Sequence, residues 1–334
     1  MKKIFTLFLI VVFCIIMPLT VSAKDQKYVM RFSHGLPPNH PIVTGNFNYF
    51  KDLVEKNSKG AITVKMFPSG QLVNDKEVLK SVKSGAIEAC AAYTCYIKSV
   101  IPSMGVFTVP MLFNDQQAKI DAVKGKIGKY LFAELKKKNY MALGWIAWPN
   151  DIFGIEMNSS VHVPEDLKGK VIRPTSREAA SYFKEYGHSQ VAYVSGAELY
   201  TAMQRGVVDG AVATFQHAVA RKLSEVAPYF CVLPGIAVND QAIIVNQKFY
   251  AKLPVELQKV LLDAGEKTQE RSYKVAEQIT IDMTKKAKAC MKEIYYPTED
   301  EMKLWIPVDI NDFYQRVLKD DPATLKLIMD YKNS

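Results

Sequence analysis

The sequence lacks the short motifs with which most enzyme classes build a reactive centre. It contains no G-x-S-x-G nucleophile elbow, no phosphate-binding P-loop, no G-x-G-x-x-G dinucleotide motif and no H-E-x-x-H zinc motif. Asp209, in the stretch VVDG, resembles a catalytic carboxylate but has no evident partner, and its ordinary role is to form a turn before Gly210. The sequence therefore argues against an enzyme.

Metal sites, cofactor sites and disulfides also have little support. Four cysteines follow the apolar N-terminus, none with C-x-x-C spacing, and the five histidines are scattered along the chain. An exported protein is allowed a disulfide, but buried free thiols are the expected state. We expect neither a metal nor a cofactor. The cysteines concerned are Cys90, Cys95, Cys231 and Cys290.

A basic stripe with interleaved aromatic residues is missing as well. The formal net charge of +9 falls to +7 when Lys2 and Lys3 are removed with the N-terminal segment. Without a concentrated basic face, nucleic acid is an improbable partner. A modestly basic surface instead favours the attraction of a small anion.

No apolar run long enough to span a membrane follows residue 23. Residues 1–23 combine Lys2 and Lys3 with an apolar core and a Val21-x-Ala23 ending, which is typical of a signal peptide cut after Ala23. An uncleaved anchor is the alternative, but the apolar run of about 14 residues is short against the roughly 20 that a span needs. We expect a soluble, exported mature protein.

Strand and helix patterns alternate along the rest of the chain. Within 164–216, short strands at 170–173, 191–194 and 207–213 flank helices, one of which begins at a Ser195–Glu198 capping box. This alternation predicts an α/β fold with parallel strands, whose ligands bind beyond the carboxyl ends of the strands. About 310 mature residues are enough for two domains.

Arg173 lies at such a strand end, immediately before Pro174. Its planar guanidinium can hold a carboxylate through two parallel hydrogen bonds and stays charged at any working pH. The alternatives are a salt bridge to Glu178 or Glu185, or a solvated surface position. Position alone leaves these readings open.

Four ordered motifs, HGLPPNHP, FPSGQL, PEDLKGKVIRP and GAELYTAMQRGVVDG, resemble the DctP-type substrate-binding proteins of tripartite ATP-independent periplasmic (TRAP) transporters. The resemblance runs from about Tyr28 past Pro254. It implies a two-lobed periplasmic-binding-protein fold with hinge crossings near 149 and 239, and a periplasmic location. Lobe I would comprise 24–149 and 239–278, and lobe II 150–238 and 279–334.

The resemblance also implies a function and its site. Arg173 would clamp the carboxylate of a small solute in the cleft, the lobes would close, and a TRAP permease in the membrane would receive the solute. By register, four further polar residues would face the cleft or the hinge: His34, Gln71, Tyr93 and Gln241. A binding protein that reports its solute to a membrane sensor, or an exported enzyme, are the alternatives.

Two departures from the family pattern concern the body of the solute. Phe153 stands where many members have a second arginine, and Ala213 stands where many have an asparagine. The cleft is then expected to be lined by Phe153, Ala213 and Phe215, and by Trp145 or Trp148. An aromatic cluster is more often core, but a wall of this kind predicts a monocarboxylate with a sizeable apolar or aromatic body.

Helical spacing continues from Pro254 to about Met291, which at about 1.5 Å per residue is too long for one small domain. Two helices broken near Gly265 are the alternative, and the resemblance favours one helix under both lobes. Other patterns predict single helices at 74–84 and 114–138 and two helices at the C-terminus.

Overall fold

The computed structural model describes residues 26–196 and 198–333, and it contains two separate β-sheets. The signal peptide expected at 1–23 lies outside the described residues. Within the described part, no helix is long and apolar enough to cross a membrane. The strands are β1 Tyr28–Ser33, β2 Ile62–Phe67, β3 Ala89–Tyr93, β4 Tyr140–Ile146, β5 Phe153–Met157, β6 Val171–Arg173, β7 Gln190–Val191, β8 Gly210–Thr214, β9 Tyr229–Val232, β10 Gln241–Asn246 and β11 Glu293–Tyr295.

Each sheet mixes parallel strands with one strand that runs the other way. The first sheet has the order β2-β1-β3-β10-β4, in which β1 is parallel to β2 and β3, and β10 is antiparallel to its two neighbours. The second sheet has the order β11-β9-β5-β8-β6-β7, in which β5 is antiparallel to β8 and β9. We call the first sheet with its covering helices lobe I and the second lobe II.

Two extended crossings join the sheets, in addition to the residues between β10 and β11, which make a third connection. The segment 147–152 leads from β4 to β5, and the segment 233–240 leads from β9 back to β10. Because β10 pairs with β4, with Gln241 opposite Ile146, the first crossing leaves the first sheet beside the point where the second crossing enters it. The crossings lie where the sequence placed them, and the two-lobed α/β architecture is confirmed.

Helices cover both sheets. They are α1 Asn48–Asn57, α2 Val78–Ser84, α3 Thr94–Ile97, α4 Gln116–Lys124, α5 Lys126–Lys137, α6 Arg177–Glu185, α7 Leu199–Gln204, α8 Phe215–Ala220, α9 Gln247–Lys252, α10 Val255–Lys288, α11 Glu299–Trp305, α12 Ile310–Val317 and α13 Pro322–Lys332. A π-helical turn, Val43–Phe47, precedes α1, and 3-10 turns occupy Pro102–Phe107, Pro164–Leu167 and Leu223–Glu225.

The long helix is a single element, as the family resemblance suggested. α10 runs through 34 residues and contacts α1 and β4 of lobe I and α8 of lobe II. Gly265 does not break it. A Cβ there would lie 2.3 Å from the carbonyl oxygen of Leu143, so glycine is needed because helix and strand touch backbone to backbone.

Three helix predictions are wrong in extent or number. Residues 114–138 form two helices, because Gly125 leaves the helical conformation (φ −84°, ψ −144°) between α4 and α5. The helix expected from 74 begins at Val78, since the Asn74 side chain accepts from the N–H groups of Lys76 and Glu77 and forms a turn instead. The C-terminus holds three helices, each with its own capping side chain: Thr298, Asp309 and Asp321.

Candidate functional site

A cavity of about 600 Å³ lies between the two lobes, and residues from both form its walls. Parallel strands of each sheet end at this cavity, so residues that follow β3 and β6 face each other across it. None of the described residues that line it is an aspartate or a glutamate. The polar lining includes Arg173, His217 and Arg221 from lobe II and His40 and Tyr93 from lobe I.

Arg173 is the last residue of β6 and lines the cavity with a half-buried side chain. Its Nε donates to the carbonyl oxygen of Val194 at 3.1 Å, and this bond orients the guanidinium group. Burial and the nearby charge of Arg221 lower its pKa, although a guanidinium remains charged at neutral pH. Among the described residues it forms no ion pair.

The two carboxylates that could have paired with Arg173 are engaged elsewhere. Glu178 accepts from the Lys98 ammonium at 2.9 Å, and Glu185 accepts from Arg316 at 2.7 Å. The salt-bridge alternative for Arg173 therefore does not apply. Its two terminal nitrogens are available to an anion from the cavity.

Sequence reasoning missed two basic residues on the same side of the cavity. His217 lies in the first turn of α8, and Arg221 directly follows the last residue of that helix. Arg221 donates from Nη1 to the carbonyl oxygen of Gly196 at 2.6 Å and forms no ion pair with any described residue. We call Arg173, His217 and Arg221 the basic cluster. The sequence contained a signal for the two missed residues. They follow the end of β8, just as Arg173 lies at the end of β6, and strand ends are where ligands bind in such sheets.

His217 is neutral within this cluster. Its ring lies deep among protein atoms, although part of the residue's surface reaches the cavity, and burial together with the charges of Arg221 and Arg173 lowers its pKa to about 4. Its Nδ1 accepts the backbone N–H of Thr214 at 3.1 Å. The single proton of the neutral ring is therefore on Nε2, where it is a donor.

The opposite wall is aromatic. The rings of Tyr93 and His40 flank the Trp148 indole, with centroid distances of 5.6 and 5.4 Å. Burial raises the pKa of the Tyr93 hydroxyl above its usual range, so Tyr93 is a neutral donor here. We call His40, Tyr93 and Trp148 the aromatic wall.

Contacts join the lobes across the cavity. The Nε2 of His40 lies 3.1 Å from the side-chain amide of Gln216, and the Nδ1 of the same ring accepts the N–H of Ile42. The neutral ring then donates from Nε2, which requires the Gln216 amide to turn its oxygen towards the ring in place of the nitrogen that lies there. The Lys98–Glu178 ion pair and a bond from the Ser176 hydroxyl to the Thr108 carbonyl are two further bridges.

Five of the ten residues predicted to contact a solute line this one cavity. They are Arg173, Tyr93, Trp148, Phe153 and Ala213. The 8% exposure of Phe153 and the small side chain of Ala213 leave apolar surface beside the basic cluster.

The other five lie outside the cavity lining. His34 is buried against Phe47, Trp145 stacks on Phe132, and Phe215 packs edge-on against Phe230 beneath the second sheet. Gln241 is buried behind Trp148 and accepts its indole N–H at 3.2 Å, so it supports the aromatic wall without lining it. Gln71 is exposed in a loop.

The cysteines of the described part are free. Cys90 and Cys231 are buried, as expected, but Cys95 and Cys290 are exposed, which corrects the expectation for those two. Cys95 follows β3 and lines the cavity. No group of three or more His, Cys, Asp or Glu among the described residues could hold a metal ion.

Comparison with known proteins gives a match over most of the chain. Residues 32–317 match the family model described as bacterial extracellular solute-binding protein, family 7, DctP. The C4-dicarboxylate-binding periplasmic protein DctP of Rhodobacter capsulatus is 28% identical over 293 residues, 86% of each chain. The C4-dicarboxylate-binding protein DctB of Bacillus subtilis is 28% identical over 287 residues, 84% of this chain and 80% of its own.

Solved structures share the fold. A TRAP periplasmic solute-binding protein from Ochrobactrum anthropi superposes with a TM-score of 0.82 at 22% identity, covering 92% of this chain and 96% of its own; its own C-terminus is bound in its ligand pocket. One from Desulfovibrio salexigens with bound orotic acid has a TM-score of 0.78 at 24% identity, covering 92% and 98% of the two chains.

Proposed function

The chain belongs to the DctP family of bacterial extracellular solute-binding proteins, and we propose that it captures an organic acid in the cavity between its lobes and delivers it to a TRAP permease. Membership confirms the resemblance to TRAP substrate-binding proteins. It also places the chain among binding proteins and not enzymes. The proposal concerns the solute, the residues that hold it and the partner that receives it.

Arg173 is the observation that carries the proposal. A half-buried guanidinium without a carboxylate partner among the described residues is unfavourable, because burial removes solvation that no counter-charge replaces. A solute carboxylate in the cavity would supply that counter-charge and two hydrogen-bond acceptors. Arg221 and the Nε2–H of His217 add donors on the same side.

The lining also excludes one class of acid. An amino acid brings an ammonium group that needs an acceptor or a negative charge, and no described lining residue is an aspartate or glutamate. We therefore propose an acid without an amino group. The matched pair 3-phenyllactate and phenylalanine, which differ only in hydroxyl against ammonium, tests this point.

The body of the solute is proposed to be apolar or aromatic. The aromatic wall, Phe153 and Ala213 surround the space beside the basic cluster, and aromatic faces favour flat or branched apolar groups. The named relatives bind acids of several kinds, C4-dicarboxylates and orotic acid among them. They support an acid as the class, whereas the apolar body rests on this chain's own lining.

Closure and delivery complete the proposal. The contacts that bridge the lobes, His40 to Gln216 and Lys98 to Glu178, support a closed arrangement that a solute would stabilise and its absence would loosen. Cleavage after Ala23 would release the protein outside the cytoplasm, in the periplasm, where a permease in the membrane would accept the closed form.

Thermal shift of the mature protein against a panel of organic acids tests the function. A ligand at 100 times its dissociation constant stabilises by about 2.7 kcal/mol, which in a chain of this size is a shift of several degrees or less. We expect shifts from aromatic or branched monocarboxylates that disappear in Arg173→Ala and persist in Arg205→Ala, an exposed arginine of the same lobe. Shifts that survive Arg173→Ala would remove the clamp from the proposal.

A further inference from the structure

A buried lysine links the two extended crossings between the lobes. Lys119, on α4, has a side chain that is 1% exposed, and its partner Asp240 has one that is 2% exposed. The Nζ of Lys119 donates to Asp240 Oδ1 at 2.8 Å, in the crossing 233–240. It also donates to the carbonyl oxygen of Trp148 at 2.7 Å, in the crossing 147–152.

Asp240 closes the arrangement from the other side. Its Oδ1 accepts the backbone N–H of Trp148 at 3.0 Å, and its own carbonyl oxygen accepts the N–H of Thr94 at the end of β3. Both backbone groups of Trp148 are thus bound by one ion pair. The first turn of α4 adds a contact to the same crossing, because Gln116 Oε1 accepts the N–H of Asn150 at 2.8 Å.

Trp148 is also the centre of the aromatic wall. Its indole N–H is held by Gln241, and its ring lies between those of His40 and Tyr93. A shift of its backbone would therefore move the surface that faces the basic cluster. The ion pair lies behind this surface, since neither Lys119 nor Asp240 lines the cavity.

A gain in folding stability does not explain why a buried ion pair is present here. The desolvation of two buried charges commonly cancels their attraction, and an apolar pair of similar size serves a core at least as well. What an apolar pair cannot do is hold a carbonyl oxygen and an N–H group of the same residue in one orientation. This requirement is met here at Trp148.

We propose that Lys119 and Asp240 are positioning residues that fix the hinge crossings and, through Trp148, the aromatic wall of the binding cavity. The pair touches no solute. It determines where the indole lies and how the two crossings are held together. The part that concerns solute affinity rests on the proposed function, whereas the part that concerns Trp148 does not.

A double variant tests this with little risk to folding. Lys119→Met alone would leave the Asp240 carboxylate buried and unpaired, which is strongly destabilising, so it is combined with Asp240→Asn. The asparagine keeps an oxygen for the Trp148 N–H, but the ammonium that donates to the Trp148 carbonyl is gone. The matched control is Lys124→Met with Glu270→Gln, which removes a half-exposed ion pair formed by the same helix.

The readout is 19F NMR of protein labelled with 5-fluorotryptophan. The three tryptophans of the chain give three resonances, and Trp148→Phe assigns the one that matters. We expect the Trp148 resonance to shift or broaden in the double variant and to stay unchanged in the control. A Trp148 resonance with unaltered position and width in the folded double variant would overturn the proposal.

Hydrogen exchange of the unaltered protein is a second measurement, needed if the double variant does not fold. The proposal expects the Trp148 amide to exchange far more slowly than the amides of Asp151 and Ile152, which donate no hydrogen bond to any described residue, and equally fast exchange contradicts it. Affinity for an acid from the panel should weaken roughly tenfold in the double variant, through displacement of the wall. If no acid binds, the NMR result still decides the positioning role, and the proposed function alone fails.

Discussion

The two sides of the cavity differ in chemistry although both lie at strand ends of similar sheets. Lobe I contributes the aromatic wall of His40, Tyr93 and Trp148, whereas lobe II contributes the basic cluster. The aromatic wall is held by hydrogen bonds from behind, and Arg173 and Arg221 have one backbone contact each and no ion pair within the described residues. The shape of the cavity in lobe I is thus fixed by internal hydrogen bonds. The charges of the arginines in lobe II have no counter-ion among the described residues.

Arg173→Ala should have the largest effect. Charge-assisted hydrogen bonds contribute about 1.5–3 kcal/mol, so affinity for a bound acid should fall by about 10-fold to 150-fold. Arg173→Lys keeps the charge without the paired donors and should recover only part of the loss. Isothermal titration measures both, with Arg205→Ala as the control, and equal affinity of the lysine variant would show that charge alone suffices.

Trp148→Leu should affect acids selectively. Aromatic contacts add about 0.5–1.5 kcal/mol beyond buried area, so affinity for an aromatic acid should fall up to about tenfold. Affinity for acetate, which has no body to place against the wall, should change little. A uniform loss for both acids would mean that the substitution disturbs the basic cluster and not the wall.

Arg221→Ala should have a smaller effect, because the side chain is exposed to solvent. Exposed ion pairs contribute about 0.2–1 kcal/mol, which corresponds to a loss of up to about fivefold. The loss should shrink at 1 M salt, where screening acts within about 3 Å. A loss that salt does not change would place Arg221 in direct, desolvated contact with the solute.

The smallest expected effect is a change in the pKa of one of two histidines, which tests the electrostatics of the basic cluster. The pKa of His34 in lobe I and of His217 in lobe II are both lowered from 6.5 to about 4, but only His217 owes part of this to the arginine charges. Arg221→Ala should therefore raise the pKa of His217 and leave that of His34 unchanged, as measured by NMR titration. Equal behaviour of the two rings would contradict the electrostatic account of the basic cluster.

The same pair sets a pH dependence of stability. Because both rings are neutral when folded and bind protons more readily when unfolded, their contribution is complete above about pH 6.5 and is lost as the pH falls towards 4. Thermal unfolding between pH 7 and pH 4 should show this decline. A melting temperature that does not fall across this interval would contradict it.

Strand ends could be found from the sequence, but side-chain directions could not. Arg173 is a candidate because Pro174 ends its strand at a predictable edge of the sheet, and the family resemblance adds the role of carboxylate clamp. Trp145 and Trp148 are three residues apart, and no pattern shows that Trp145 turns into the core onto Phe132 while Trp148 turns to the cavity. That choice depends on which neighbouring elements fill each side.

Two members of the basic cluster, His217 and Arg221, were missed for a related reason. The departures from the family pattern point to Ala213 and Phe215, of which only Ala213 lines the cavity, whereas His217 and Arg221 follow later in the chain and line it as well. The long helix shows the opposite case. By helix propensity alone, Gly265 would be expected to interrupt the helix. The helix continues through it, and the glycine is needed there because the helix contacts the backbone of Leu143 closely.

The central claim is that one carboxylate is held by the basic cluster while an apolar body rests on the aromatic wall. Isothermal titration of the mature protein with 3-phenylpropionate and with succinate, under one set of conditions, tests it most directly. We expect 3-phenylpropionate to bind more tightly than succinate. Micromolar binding of succinate with no detectable binding of aromatic acids would contradict it.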